Sequence, residues 1–227
     1  MTDVQLHYIE QGQGQPLILL HGNGESCDYF EHQIAYFSKQ YHVIALDTRG
    51  HGKSPRGEKP FTIKQFAEDL HDFMDENAIE KAVILGFSDG GNIALTFALK
   101  YPERVEKMIV DGANLFPSGV KPLYQWPIEI GYRIAKMFSK KSDKALHNAE
   151  MLGLMVNEPH IEPSELSHLT MPVLVVAGTK DMIKDSHTRL IYKNLSNAQL
   201  SIIDGDHFVA NKNADAFNKV VDEFLRK

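Results

Sequence analysis

The chain has 227 residues, 43% of them apolar and 24% charged, which is the balance of a globular domain and excludes disordered, collagen-like and coiled-coil classes. Its net charge of −6, with Lys and Arg scattered along the chain, excludes a large nucleic-acid footprint. A single cysteine, Cys27, excludes an internal disulfide framework and a cysteine-built zinc site.

The length fits one domain carrying an insertion. No apolar run approaches the 18 residues that a membrane span needs, and the first residues lack the basic and apolar regions of a secretory leader, so a cytoplasmic protein is expected. Val4, Leu6 and Tyr8 alternate with polar residues, predicting a half-exposed strand before a glycine turn at residues 12–14. Continuous apolar runs follow at 16–20, 42–46, 82–86, 108–110, 172–177 and 199–203. Each is short, rich in Val, Ile and Leu, and bounded by Gly, Asp or Pro, which predicts strands buried on both faces of a parallel sheet. Between them, Thr62 with Gln65 reads as a capping box that opens a helix with Phe66, Leu70 and Phe73 on one face. Phe217, Val221, Phe224 and Leu225 recur at helical spacing near the end. Strands alternating with helices predict a mostly parallel, doubly wound α/β sheet.

Residues 116–169 break the alternation. This segment has no strand-like run but carries Tyr124, Trp126, Phe138 and several methionines, with Pro117, Pro122 and Pro127 interrupting its entrance. A loop of that length has structure or function of its own, so two or three helices forming a small lid are expected, with residues 1–115 and 170–227 as the core.

The strongest chemical signal is Gly86-Phe87-Ser88-Asp89-Gly90. It lies between an apolar strand and a helical pattern that Tyr101-Pro102 ends, the setting of a nucleophile elbow. A serine hydroxyl needs a base and an orienting acid. Asp181 follows the run 172–177, and His207 follows the run 199–203, giving the order Ser88, Asp181, His207. Asp111, at the end of another strand, is a rival acid. The other histidines read as packing or surface groups, and His21 as a clasp for its own loop. His21-Gly22-Asn23-Gly24 follows the strand at 16–20, so the Asn23 and Asp89 amides are candidate donors to an oxyanion.

These motifs, with Asp47-Thr48-Arg49-Gly50-His51-Gly52, resemble the α/β-hydrolase superfamily over essentially the whole chain. Ser88-Asp89-Gly90-Gly91, Lys100-Tyr101-Pro102 and Gly112-Ala113-Asn114 are similar to the biphenyl hydrolase-like (valacyclovir hydrolase) proteins. The resemblance implies an α/β-hydrolase fold with a helical lid and a hydrolase needing no cofactor or metal. Asp89 is then associated with binding a substrate ammonium group. A serine at position 88 argues against the branches that use an aspartate nucleophile. The expected activity is cleavage of small carboxylic esters or related acyl compounds, with Asp89, Tyr124, Trp126 and Phe138 facing the substrate. The same triad also serves carbon–carbon, thioester or amide hydrolysis, and the fold also occurs in ligand-binding receptors. The sequence leaves the oligomeric state open.

Overall fold

The computed structural model describes residues 3–227. Its single sheet has seven strands: β1 (Tyr8–Gln11), β2 (Pro16–Leu20), β3 (His42–Leu46), β4 (Ala82–Phe87), β5 (Val105–Asp111), β6 (Val173–Gly178) and β7 (Ala198–Ile203). Their order is β1-β3-β2-β4-β5-β6-β7. Every pairing is parallel except β1 with β3. Strand order reverses at β2, so the carboxyl ends of β2 and β4 flank a switch-point crevice, where open α/β sheets bind ligands.

Alternate residues of each strand feed two cores. Ile18, Leu20 and Ile84 pack on one face beneath α2 (Ile63–Glu76) and α3 (Asp89–Lys100), with Ile191 of α6 (Asp185–Asn194) completing that layer. Leu17, Leu19, Val83 and Leu85 pack on the other, beneath α1 (Glu31–Phe37) and α8 (Ala214–Leu225). Helices on both faces explain why the central strands read as unbroken apolar runs. The edges read differently. β7 is only partly buried. β1 begins at Tyr8, whereas Val4 and Leu6 are buried ahead of it outside any strand.

At the start of α2, Thr62 Oγ1 accepts from the Gln65 amide at 3.1 Å. The reciprocal half of the expected capping box is not made, because the Gln65 side chain donates to Asp69 instead. Between β5 and β6 the chain forms the hairpin of α4 (Pro122–Phe138) and α5 (Asp143–Asn157). The expected interruption by prolines is corrected in part. Pro122 opens α4, where a missing N–H costs nothing, and Pro127 is carried inside the helix.

Candidate active site

β4 ends at Phe87 and α3 begins at Asp89, so Ser88 must turn the chain within one residue. It does so at φ 53° and ψ −119°, a conformation costly for an L side chain and retained where surrounding contacts enforce it. Its amide donates to the Asp111 carbonyl at 2.7 Å. Gly90 permits the turn, since a Cβ there would lie 1.9 Å from the Leu20 carbonyl oxygen.

Two further loops meet this turn. Asp181 lies in the loop after β6 and His207 in the loop after β7. His207 Nδ1 lies 2.7 Å from Asp181 Oδ1, and His207 Nε2 lies 3.0 Å from Ser88 Oγ. An ionised carboxylate can only accept, so Nδ1 carries the proton and Nε2 is left to accept from the serine hydroxyl. Asp181 also accepts from the amides of Ile183 and Gly178. The imidazole packs on Phe87 at 4.9 Å between ring centroids, and Phe87 stacks in turn on Tyr29. Gly112, at φ 62°, makes room for the ring, because a Cβ there would stand 2.6 Å from His207 Cε1.

The rival acid does not reach the imidazole. Asp111 is wholly buried with no hydrogen-bond partner for either carboxyl oxygen. Burial holds its pKa well above the carboxylate range, and the nearby Asp181 charge adds to that.

The glycine loop after β2 runs against the same turn, since a Cβ on Gly22 would stand 3.1 Å from Ser88 Cβ. Asp89 opens α3, where its own N–H has no intrahelical acceptor. His21 clasps the loop as expected, with Nδ1 donating to the Gly22 carbonyl and Nε2 accepting from the Thr48 amide. Burial keeps its pKa below the ordinary histidine value, consistent with that neutral form. The Asp89 carboxyl is buried and accepts from Asn23 Nδ2 at 2.9 Å and from Asn92 Nδ2 at 3.2 Å. Burial raises its pKa, against the two amide hydrogen bonds. Asn92, which none of the sequence motifs marks as functional, also binds Asn114 through its side chain. Its signal is a polar residue one turn beyond Ser88, directly ahead of the apolar run Ile93–Leu95.

Tyr124, Trp126 and Phe138, the residues expected to face the substrate, lie on α4. All three are exposed, with Trp126 68% accessible. The side of α4 that packs on α5 is the one carrying Gln125, Gly131 and Tyr132.

One other cluster has the composition of a metal site. Ligand atoms of His7, Cys27 and Asp47 lie within 4.8 Å of one another. Asp47 already accepts from the Cys27 amide, the Lys53 amide and His7 Nδ1, and burial pushes the Cys27 thiol up to about 12. A neutral thiol and a saturated carboxylate make this a loop fastening.

The sequence model of the alpha/beta hydrolase fold matches residues 15–143. The chain belongs to the α/β-hydrolase fold family. Its relatives bear out the narrower resemblance: human "Serine hydrolase BPHL" is 30% identical, with 100% of this chain and 84% of that protein covered. "3-oxoadipate enol-lactonase 2" of Acinetobacter baylyi is 28% identical over 99% of this chain and 94% of its own length. Among solved structures, the meta-cleavage product hydrolase from Pseudomonas fluorescens IP01 superposes with a TM-score of 0.80 at 27% identity, covering 98% of this chain and 94% of that one. The protein is therefore an α/β-hydrolase of the serine hydrolase kind. Among the described residues no helix is long and apolar enough to cross a membrane.

Proposed function

We propose that this α/β-hydrolase cleaves small carboxylic esters through an acyl-enzyme formed on Ser88. The supporting observation is the unbroken hydrogen-bonded chain from Ser88 Oγ through His207 to Asp181. His207 Nε2 takes the hydroxyl proton as Oγ attacks the acyl carbon. Asp181 holds the imidazole in that tautomer and offsets the positive charge it gains. The Asn23 and Asp89 amides receive the oxyanion. His207 then gives its proton to the leaving alcohol, and water attacking the acyl-enzyme through the same base releases the acid. Residues 116–169 act as the lid over this site.

Asp89 gives the site a preference for esters carrying an ammonium group. A carboxylate beside the nucleophile and out of water attracts a cation more strongly than one on the surface. Each of its oxygens holds one amide hydrogen bond, which leaves lone pairs free to accept from an ammonium.

The test is a set of initial rates for wild type and Ser88→Ala on p-nitrophenyl acetate, butyrate and octanoate and on an amino-acid ester. Turnover should vanish in the variant, and equal rates in the two proteins would sink the proposal. Asp89→Asn should erase the advantage of the amino-acid ester. A second reading, carbon–carbon hydrolysis, draws on the meta-cleavage product hydrolase likeness. It predicts turnover of a vinylogous diketone acid faster than of any ester in the panel.

A further inference from the structure

Helix α4 is apolar on the wrong side for a helix that merely covers a core. Leu123, Trp126, Ile130, Ile134 and Met137 follow one another at spacings of three, four, four and three residues, which aligns them in one stripe. That stripe faces away from α5. Leu123 is 78% and Met137 69% exposed, and the three between them are exposed by more than half. Eight of the ten large hydrophobic residues exposed among the described residues belong to the α4–α5 hairpin. From Leu123 to Met137 the stripe runs about 21 Å along the helix.

The charges beside it are equally uneven. From Glu129 to Lys144 the sequence holds five cations, Arg133, Lys136, Lys140, Lys141 and Lys144, against two acids, in a chain of net charge −6. All five cations are exposed, and none forms an ion pair among the described residues. Some surface cations elsewhere are paired, as in Lys81 with Glu106 and Lys100 with Glu68.

We propose that the outer face of α4 docks on an anionic lipid surface, with the stripe entering the headgroup–acyl boundary and the five cations meeting the headgroup charge. A helix with an apolar face bearing Trp and Leu and a basic flank is the form that lies in such an interface. A second copy of this chain is a poorer occupant, because a two-fold contact through the stripe brings two net-positive patches together. The docked hairpin is joined to the catalytic loops. Asn23 Nδ2 donates to the Met151 carbonyl of α5 at 2.8 Å, and Arg56 grips Glu150 of α5 with its shortest contact at 2.6 Å. The inference stands independently of the ester reading, since it concerns a surface and not the reaction.

Trp126 is the only tryptophan of the chain, so its emission reports on the stripe alone. Titration with vesicles of phosphatidylcholine and phosphatidylserine should shift that emission to the blue and carry the protein into the vesicle pellet. Partition onto these vesicles should exceed that onto phosphatidylcholine alone by about tenfold or more and fall as salt is added. Ile130→Glu combined with Ile134→Glu should abolish both signals while leaving the melting temperature at the wild-type value. Lys140→Glu with Lys141→Glu should remove most of the preference for anionic lipid. Absence of a shift and of pelleting with anionic vesicles, or undiminished binding by the Ile130→Glu, Ile134→Glu variant, overturns the proposal. So does a lipid-free blue shift that grows with protein concentration, which would assign the stripe to self-association.

Discussion

Asn23 Nδ2 lies 2.9 Å from Asp89 Oδ2, so the loop after β2 and the first residue of α3 are cross-linked across the switch-point crevice. Both residues are expected to offer backbone amides to the oxyanion, and this side-chain bond fixes the two amides relative to each other. The same Asn23 amide group also binds the Met151 carbonyl. One side chain therefore couples the proposed oxyanion donors to the hairpin above them.

Asn23→Ala keeps the backbone N–H and removes both side-chain bonds. Small displacements of a preset donor cost one to two orders of magnitude. We expect turnover of p-nitrophenyl butyrate to fall roughly ten- to a hundredfold, with little change in melting temperature, since Asn23 lies outside both cores. Unchanged turnover would mean that the backbone of the loop holds the amide unaided.

The two candidate acids can be separated by paired substitutions. Asp181→Asn leaves the shape but lets the imidazole settle in the wrong tautomer, and losses of about 10³–10⁴ in kcat accompany such changes. Asp111→Asn should stay within about tenfold of wild type, because Asp111 makes no hydrogen bond to His207. The outcome that overturns this assignment is substantial activity in Asp181→Asn that disappears when Asp111→Asn is added.

Asp111 also sets a slope in stability against pH. Its folded pKa is raised, first by burial and then by Asp181, whereas the unfolded chain titrates near 3.8. Above that value the unfolded state sheds its proton while the folded state keeps it, so stability declines as pH rises through the interval between the two pKa values. Asp111→Asn carries no proton to lose. The variant should gain melting temperature relative to wild type at pH 8 and gain less at pH 4, as read by thermal denaturation at both.

His187 works in the opposite sense. It is buried, with Nε2 accepting from the Leu115 amide at 2.9 Å, and burial holds its pKa down to about 4. An unfolded histidine takes up its proton near 6.5, so stability is lost as pH falls from there towards the folded value. The full loss from this group is about 3 kcal/mol. His187→Gln should flatten the decline between pH 6.5 and 4, as monitored by urea midpoints across that range. His51, held down to about 4 for the same reason, should preserve part of the slope.

The central sheet and the three loops that carry Ser88, Asp181 and His207 were legible in the sequence because their physics is local. Unbroken apolar runs mark strands covered on both sides, and small or acidic residues beyond a strand's end mark the rim where function collects. What was not legible depended on distant partners. β1 could not be placed by alternation, because pairing with β3 determines where Tyr8 joins the ladder. Gln65 looked like half of a capping box, but Asp69 competes for its side chain. The face that α4 turns to α5, with Gln125 and Gly131, was not legible, since periodicity shows that a face exists without showing what it meets. Asn92 and Gly112 owe their importance to neighbours far along the chain.

The loop that follows β3 permits a prediction about stability that leaves the chemistry intact. Arg49 is wholly buried, with Nε and Nη2 reaching the two Asp69 oxygens at 2.7 and 2.6 Å, and Asp3 and the Arg56 carbonyl holding Nη1. Removing one partner from such a pair strands a charge out of water, which costs about 3–5 kcal/mol. In a chain of this length that loss lowers the melting temperature by roughly 10 °C. Asp69→Ala should show that drop. Below the transition it should retain turnover within a few-fold of wild type, because Arg49 touches neither Ser88 nor His207. A variant that melts normally would show that Asp3 alone compensates the guanidinium. One that melts early and is also inactive when cold would place the ion pair in the support of the His21 loop, through the adjoining Thr48 that binds His21.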